Sequence, residues 1–594
     1  MFLKCFQLKP VLLFGGMSLA IGSSWAAQAA PGQTSSPTTH TNTPSQRISS
    51  VYQAFPAGVS PYYGSLLTSV YRQTHQQPLW TDQEAIHSFE QQLAEVALSG
   101  VQPQFTRWLS VLTRNDLTND AREVVLSDAL LGYLQFVNAA PAQGESWFYG
   151  TNGARLSAPS SALVSRWLQA VNHGTTRSFI ESLQPQHPQY RPMQKALVVL
   201  LADNKPWPKL ELNRTIRPGE SDPAVPQLRQ MLIRAGWLSE ADAQASIPAS
   251  PPPAQPVASD TQAVTAPQPQ RMLAPSPTAD SSRSPVASGP AEDIYSDALV
   301  SAVKRFQHWQ GLTDDGIIGY KTREWLSITP HQRATLLALN IQRLRLLPDD
   351  MHNGIMVNIA NYSLNYYVEG KAILSSRVIV GRPSRKTPLM RSALNSVVLN
   401  PTWTVPNTLI REDLVPKLRK DPSYLAKHNF TLYSGWGADA AAVNPTSVNW
   451  QTVSASAFPY RVLQAPGPQN SLGRYKFNMP SSDAIYLHDT PNHGLFQQDI
   501  RAISSGCVRV NKAAQLAGLL LKDVGWDQSR ISSTLDSRTT RPISIRHRIP
   551  VNLYYLTAWV SEDGQAQFRT DIYNYDQLAR AGWSSISNAE KFLL

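Results

Sequence analysis

The sequence predicts a multidomain α+β protein: a helical N-terminal scaffold, a small helical module, and a β-rich domain with a lid-like insert. Three observations predict it. Between about 49 and 205, apolar residues recur at the spacing of one helix face. From 211 to 328, two short helical patterns flank a Pro-, Ala- and Ser-rich stretch at 241–293 whose composition cannot bury a core. From about 353 the apolar pattern shifts to a period of two, the alternation of half-buried strands. At 594 residues the chain exceeds what one core supports, and about two to four domains are expected.

Residues 1–29 read as a signal peptide. Lys4 and Lys9 form a basic n-region, Val11 to Gly22 is a short apolar run, and Ala27-Gln28-Ala29 is a small-x-small cleavage signal. The run is shorter than the roughly 20 apolar residues of a spanning helix; the alternative is an uncleaved anchor. No other segment is long and apolar enough to cross a membrane. Residues 30–48, rich in Ser, Thr, Pro and Gln, read as a disordered tether. Cleavage would remove Cys5 and leave Cys507 as the one thiol. A lone cysteine in an exported protein implies intermolecular pairing, a buried inert thiol or a reactive one. The formal net charge is +11, and loss of Lys4 and Lys9 lowers it by two. Export argues against nucleic acid as the partner of this charge and for anionic envelope polymers; plain solubility is the other explanation.

The segment 49–205 has the pattern of a helical scaffold. In TNDAREVVLSDALLGYLQFVNAA, Asp120 with Glu123 three residues on has the layout of an N-cap and capping box. Val125, Leu126, Ala129, Leu130, Tyr133, Leu134 and Val137 then share a face. SALVSRWLQAVNHG repeats the pattern and stops at Gly174. In the module, Val225, Leu228 and Leu232 make one helix face ended by Gly236. Leu299, Ala302, Val303 and Phe306 make another, followed by Gly311-Leu312 and Asp315-Gly316. From 353 to 594 the strand signals include hairpins turning at Glu369-Gly370 and Asp563-Gly564. The segment 407–470 interrupts them with a helix candidate and a Gly/Ala/Asn-rich run. A long insert beside such strands reads as a lid or as a static decoration.

Chemistry concentrates in HDTPNHGLFQQDIRAISSGCVRV, His488 to Val510. A thiolate, not a thiol, attacks, and an imidazole within reach can activate it. His488 closes the strand-like run AIYLH, a rigid place for a base, and Tyr486 shares its face by the period-two rule. Gly506 permits a tight turn before Cys507, where backbone N–H groups can meet a developing oxyanion. Arg509 can orient a carboxylate. Each has a structural alternative: a buried thiol, a strand-end imidazole, a core tyrosine, a surface arginine. His493, among Pro491, Asn492 and Gly494, reads as a loop residue rather than the base. One remaining cysteine and no helical histidine pair make zinc a poor reading, and a phosphate-binding G-x-x-x-x-G-K loop is absent.

The motif YLHDTP…SSGCVRV resembles the active-site signature of the L,D-transpeptidases, which remodel bacterial peptidoglycan. VIVGRPSRKTPLM, NPTWTVP and LGRYKF resemble that family's upstream strands, so the likeness spans roughly 353–525. The frame V-x-x-L before G-W-L, then A-V-x-x-F-Q-x-x-x-G-L-x-x-D-G-x-x-G-x-x-T, resembles the small helical peptidoglycan-binding module. The order of domains is similar to the large periplasmic branch of the family. Ser505 departs from the many members with a second histidine there, which points to His488 as the base. The resemblance implies Cys507 as nucleophile, His488 as general acid/base, and Gly506, Arg509, Tyr486 and Ser505 around substrate and oxyanion. It implies a periplasmic enzyme that uses no metal or organic cofactor and forms 3→3 cross-links between donor and acceptor stem peptides with release of D-alanine. The module would hold glycan strands, and carbapenems would acylate the thiol. The rival readings are an L,D-carboxypeptidase, a lipoprotein-anchoring enzyme, and a non-catalytic wall-binding protein.

Overall fold

The computed structural model describes residues 51–150, 156–245, 290–350, 352–437 and 439–594. The expected signal peptide, the tether and most of the low-complexity loop (246–289) lie outside the described residues. The chain is a multidomain α+β protein, with helices gathered toward the N-terminal side and a β-rich domain after residue 353.

The helical part forms from amphipathic segments with local stops. Helix Gln83–Ser99 is capped by Asp82, whose carboxylate accepts from Glu84 N and Ala85 N, and it ends at Gly100 with φ +67°. Helix Asn119–Tyr149 is capped two residues earlier than the Asp120 cap expected from sequence. Thr118 is the N-cap and accepts from Ala121 N, which leaves Asp120 in the first turn where its charge meets the helix dipole. This helix is buried on most sides, with Phe136, Tyr133 and Phe148 wholly enclosed.

Helix Pro330–Arg343 lies in the stretch between the expected module and the β-rich domain. Its N-terminus carries a complete capping box between Thr329 and Gln332. It packs against helices Gln83–Ser99 and Tyr190–Leu201. At its end Arg343 is fully buried: its guanidinium donates to Asp576 at 2.7 Å and to the carbonyls of Phe148 and Tyr575. An enclosed charge needs such complete pairing.

The β-rich domain contains β1 (Gly354–Asn358), β2 (Ser363–Val368), β3 (Lys371–Gly381), β4 (Met390–Leu399), β5 (Trp403–Thr404), β6 (Phe430–Tyr433), β7 (Ala442–Val443), β8 (Arg461–Gln464), β9 (Tyr475–Asn478), β10 (Leu487–His488), β11 (Ala502–Ser504), β12 (Val508–Val510) and β13 (Arg541–Tyr554). The main sheet runs β11-β3-β12-β10-β9-β4-β13-β1-β2. Because β2 also pairs with β3, it closes on itself. Closure removes open edges and gives the strands fixed neighbours. Inside are Val357, Leu364, Val378, Phe477, Leu487, Val508 and Val510, and helix Ala513–Lys522 adds Leu516, Leu520 and Leu521.

The insert leaves between β4 and β9, which are themselves paired. It has its own four-stranded sheet, β5-β8-β6-β7, and its own core around Ile410, Val415, Leu418, Leu425, Leu432, Trp450 and Val462. It is a folded unit, not a loose loop.

The structure corrects the far end of the expected 353–594 domain. After β13 the chain leaves the sheet. Leu556 and the hairpin β14 (Ala558–Val560) and β15 (Ala566–Phe568) join the helical core, followed by helices Gln577–Gly582 and Ile586–Leu593 against Gln83–Ser99. The contact is close enough to require glycine: a Cβ on Gly582 would lie 1.8 Å from Leu98 O, and one on Gly100 would lie 2.0 Å from Leu578 O. The apolar faces of these segments are legible in sequence, but which core receives them is not.

Candidate active site

Strands β9, β10 and β12 meet at the centre of the sheet. The antiparallel register pairs His488 with Lys476, and the parallel register pairs His488 with Arg509. Lys476, His488 and Arg509 therefore form one row across three strands. Their neighbours Phe477 and Leu487 point into the core, as period two requires. Tyr486 lies on the same face as His488, with ring centroids 5.7 Å apart. The Lys476 ammonium sits 4.3 Å from the Tyr486 ring centroid.

Cys507 precedes β12 in a braced turn. Gly506 has φ +120°, a conformation L side chains rarely adopt, so the turn needs glycine. Ser504 Oγ donates to Cys507 O at 2.7 Å and accepts from Gly506 N at 3.2 Å. From the β3–β4 loop, Thr387 Oγ1 donates to Gly506 O at 2.7 Å and accepts from Gly381 N at 2.8 Å. Tyr573 supports that loop: its hydroxyl donates to Gly381 O at 2.6 Å and accepts from Thr387 N at 3.0 Å. Thr387 is buried, so these bonds hold the backbone beside the thiol without competition from water.

Arg385, on the same loop, ties the turn to the insert. It donates to Ser505 Oγ at 3.2 Å, to both Asp413 oxygens at 2.6 and 3.0 Å, and to Glu412. Hydrogen bonds from Arg385 hold the Asp413 carboxyl below the usual carboxylate range. The insert thus roofs a cleft of about 680 Å³, whose walls include Cys507, His488, Tyr486 and Arg509 from the sheet and Trp403, Leu409 and Tyr424 from the insert.

The electrostatics are those of a half-dry, cationic site. Burial, then the charges of Arg509 and Lys476, pull the His488 imidazole down to about 3, against the opposing carbonyls of Asp489 and Leu472. The ring is neutral at ordinary pH. Its Nδ1 lies 2.5 Å from Asp489 O, and an Nδ1–H donated there leaves the lone pair on Nε2. Burial pushes the Cys507 thiol up, while hydrogen bonds from Tyr486 and the charges of Lys476 and Arg509 oppose it. The thiol donates weakly to Ala484 O at 3.8 Å. Burial lowers Arg509, and its enclosed Nε has no hydrogen-bond partner among the described residues.

The structure brings all six expected residues to the cleft, with Cys507, His488, Gly506, Arg509 and Tyr486 together in its wall. Ser505 also lines it, turned to Arg385. No hydrogen bond joins the imidazole to the thiol; catalytic contacts of this type often tighten only on substrate binding. His493 is exposed on a short 3₁₀ turn, 3.4 Å from Asp489. Lys476, Trp403, Thr387 and Arg385 were not anticipated. For Lys476 a signal existed: GRYKF alternates, and period two places it opposite the core residues Tyr475 and Phe477. The other three arrive from sequence-distant elements, Trp403 from β5 and Thr387 and Arg385 from the β3–β4 loop. Among the described residues no cluster of His, Cys, Asp and Glu could hold a metal.

Residues 352–532 match the L,D-transpeptidase catalytic domain family, 65–197 match a scaffold domain family, and 282–326 match a family described as "Putative peptidoglycan binding domain". The class is therefore a peptidoglycan-directed transpeptidase with a scaffold and a binding module. A protein of Haemophilus influenzae named "Putative L,D-transpeptidase" is 33% identical over 525 residues, covering 88% of this chain and 81% of that protein. The chain belongs to the L,D-transpeptidase family. Domains that act on peptidoglycan imply an extracytoplasmic location, and among the described residues no helix is long and apolar enough to cross a membrane.

Proposed function

We propose that this protein is a periplasmic enzyme, exported by a cleaved signal peptide, that forms 3→3 peptidoglycan cross-links through a Cys507 acyl-enzyme. The observation that carries the reading is the placement of Cys507 on a braced, glycine-dependent turn in the cleft wall, with His488, Tyr486 and Arg509 around it. The Cys507 sulfur attacks the carbonyl between the third, L-centred diamino acid of a donor stem and its terminal D-alanine, and its proton passes to His488 Nε2. The oxyanion forms beside the turn at Gly506, where backbone N–H groups stabilise it. The C–N bond breaks, His488 returns the proton to the departing amine, and D-alanine leaves. The side-chain amine of a second stem then attacks the thioester. Its proton passes through His488 to the departing sulfur, which regenerates the Cys507 thiol and the neutral imidazole. The Arg509 guanidinium, whose enclosed Nε has no partner among the described residues, and Tyr486 orient the donor, and Ser505 fixes the turn through Arg385. No metal or organic cofactor enters this sequence of steps. The binding module holds glycan strands near the cleft, and a carbapenem carbonyl takes the place of the donor carbonyl.

The test is incubation of the purified protein with tetrapeptide-rich wall, followed by mass spectrometry of the muropeptides. The expected products are 3→3 dimers and free D-alanine. Tripeptides with D-alanine but no dimers would mean water is the acceptor and the chain is a carboxypeptidase; products joined to a lipoprotein lysine would mean it is an anchoring enzyme. No change at all would refute the enzymatic reading.

A further inference from the structure

Lys476 is a half-buried cation that neither the sequence signature nor the proposed reaction steps use. It stands opposite His488 in the β9–β10 register, and His488 stands opposite Arg509. Its ammonium lies 4.3 Å from the centroid of the Tyr486 ring, on the face of the sheet that carries the thiol. Among the described residues no carboxylate pairs with it. Across the other strand boundary its partner is the apolar Val398. Asp489, just past β10, is turned away: it accepts from Arg474 N and faces His493. Asp413 is held by Arg385, and Asp483 lines the cleft without bonding to Lys476. The groups facing Lys476 are therefore Tyr486, just before β10, His488 in β10, and Cys507 and Arg509 from the turn and β12.

Partial desolvation of an ammonium with no paired carboxylate carries a cost that a nearby negative charge offsets. Burial alone pulls Lys476 down, and the one charge that supports its protonated form is the Cys507 sulfur. His488 is a poor candidate for the cation beside that sulfur. It lies between two permanent or near-permanent positive charges, and its Nδ1 is committed to a backbone carbonyl.

We infer that Lys476 is a positioning residue for the reaction, supplying through the Tyr486 edge of the cleft the positive charge that stabilises the Cys507 thiolate, while His488 acts from its neutral form as the proton carrier. The thiol proton still leaves to His488 Nε2 and goes on to the departing amine, so the lysine neither gains nor loses a proton. This rests on the reading of Cys507 as the attacking group. The test below follows thiol ionisation rather than cross-linking, so the two can fail separately.

The experiment is the pH dependence of Cys507 alkylation by iodoacetamide in the full-length protein, read by mass spectrometry of the Cys507 peptide, which separates it from Cys5. Removing a neighbouring positive charge should raise the midpoint by about one pH unit or more, an approximately tenfold loss of thiolate below it. Lys476→Met is expected to show that shift, and Lys476→Arg to restore most of it. His488→Ala should leave the midpoint within a few tenths of a unit while slowing acylation. A Lys476→Met protein that is folded by circular dichroism and titrates at the wild-type midpoint overturns the inference. A midpoint that moves in His488→Ala but not in Lys476→Met also overturns it, and makes an imidazolium the thiolate's partner. A second measurement needs no variant: the Lys476 ammonium is followed by NMR against pH before and after Cys507 is capped with a neutral group. Capping is expected to lower the lysine's titration point, and an unchanged titration refutes the pairing.

Discussion

Replacing Thr387 by valine tests whether the catalytic turn is held from the β3–β4 loop. The two side chains have nearly the same shape, so no cavity arises; only the hydroxyl is lost. That hydroxyl makes two bonds inside the protein, donating to Gly506 O at 2.7 Å and accepting from Gly381 N at 2.8 Å. Thr387 is 1% exposed, so water cannot replace it without rearrangement. Leaving a buried polar group unpaired costs about 1–3 kcal/mol. Two such groups give about 2–6 kcal/mol, and partial relaxation of the turn brings the expected loss toward the lower end. A chain of this size does not unfold in one step, so a global melting curve is the wrong readout. Hydrogen exchange in β3, β11 and β12 reports the local opening, and about 2 kcal/mol corresponds to roughly 30-fold faster exchange. Single-turnover acylation should fall by about tenfold or more, because displacing a reacting group by even an ångström is costly. Thr387→Ser keeps the hydroxyl and should stay near wild type on both measurements. If Thr387→Val exchanges and acylates like wild type, the hydroxyl does not hold the turn and the account of the site's rigidity is wrong.

Three further outcomes follow from the same geometry. Cys507→Ala should form neither 3→3 product nor a covalent carbapenem adduct, whereas His488→Ala should stay folded and acylate about 10²–10⁴ times more slowly, the usual worth of general acid–base help; single-turnover mass spectrometry separates the two, and a wild-type acylation rate in His488→Ala would move the base elsewhere. His488 is held down at about 3 when folded, against about 6.5 when unfolded, so the unfolded state alone binds this proton between those values. Its contribution therefore leaves stability intact above about pH 6.5 and erodes it as pH falls toward 3; hydrogen exchange of β9 and β10 at pH 7 and pH 4.5 should change less in His488→Gln than in wild type, and an equal change in both would contradict the buried neutral ring. Arg385→Ala removes the link between Ser505 and the carboxylates of Glu412 and Asp413; residues 407–437 should then exchange faster relative to the closed sheet and lose the slowing that a carbapenem adduct gives in wild type, while undisturbed exchange there would show that the insert's apolar contacts alone keep it in place.

Much of the site is legible in sequence because its determinants are local. Gly506 must be glycine for a turn with φ +120°, and Cys507 follows it directly. Tyr486 and His488 are two apart on a strand and must share a face, as their ring contact shows. The strand hairpins and helix stops at Gly100, Gly174, Gly236 and Gly311 likewise depend on residues within a few positions of one another. Local spacing is less secure at helix ends, where several side chains compete for the same N–H groups. Asp120 had the capping-box pattern, yet Thr118, two residues earlier, took the cap.

What the sequence by itself determined was the order of helical and β-rich parts, the turn that presents Cys507, and the face that carries His488. Tertiary structure alone decided which charges stand around them. Lys476 reaches His488 by strand pairing, Arg509 reaches it from the opposite strand, and Thr387 and Arg385 reach the turn across about 120 residues of chain. It also decided that much of the C-terminal segment after β13, with Leu578, Ala579, Ala589 and Leu593, closes the helical core, while Tyr573 from the same segment returns to the sheet. The physical reason is the same in each case. Periodicity and turn chemistry report which face of an element is apolar or where a chain must bend, but an apolar face accepts any complementary surface. Cross-strand neighbours and desolvation are settled only when all the surfaces compete for one another in the folded chain.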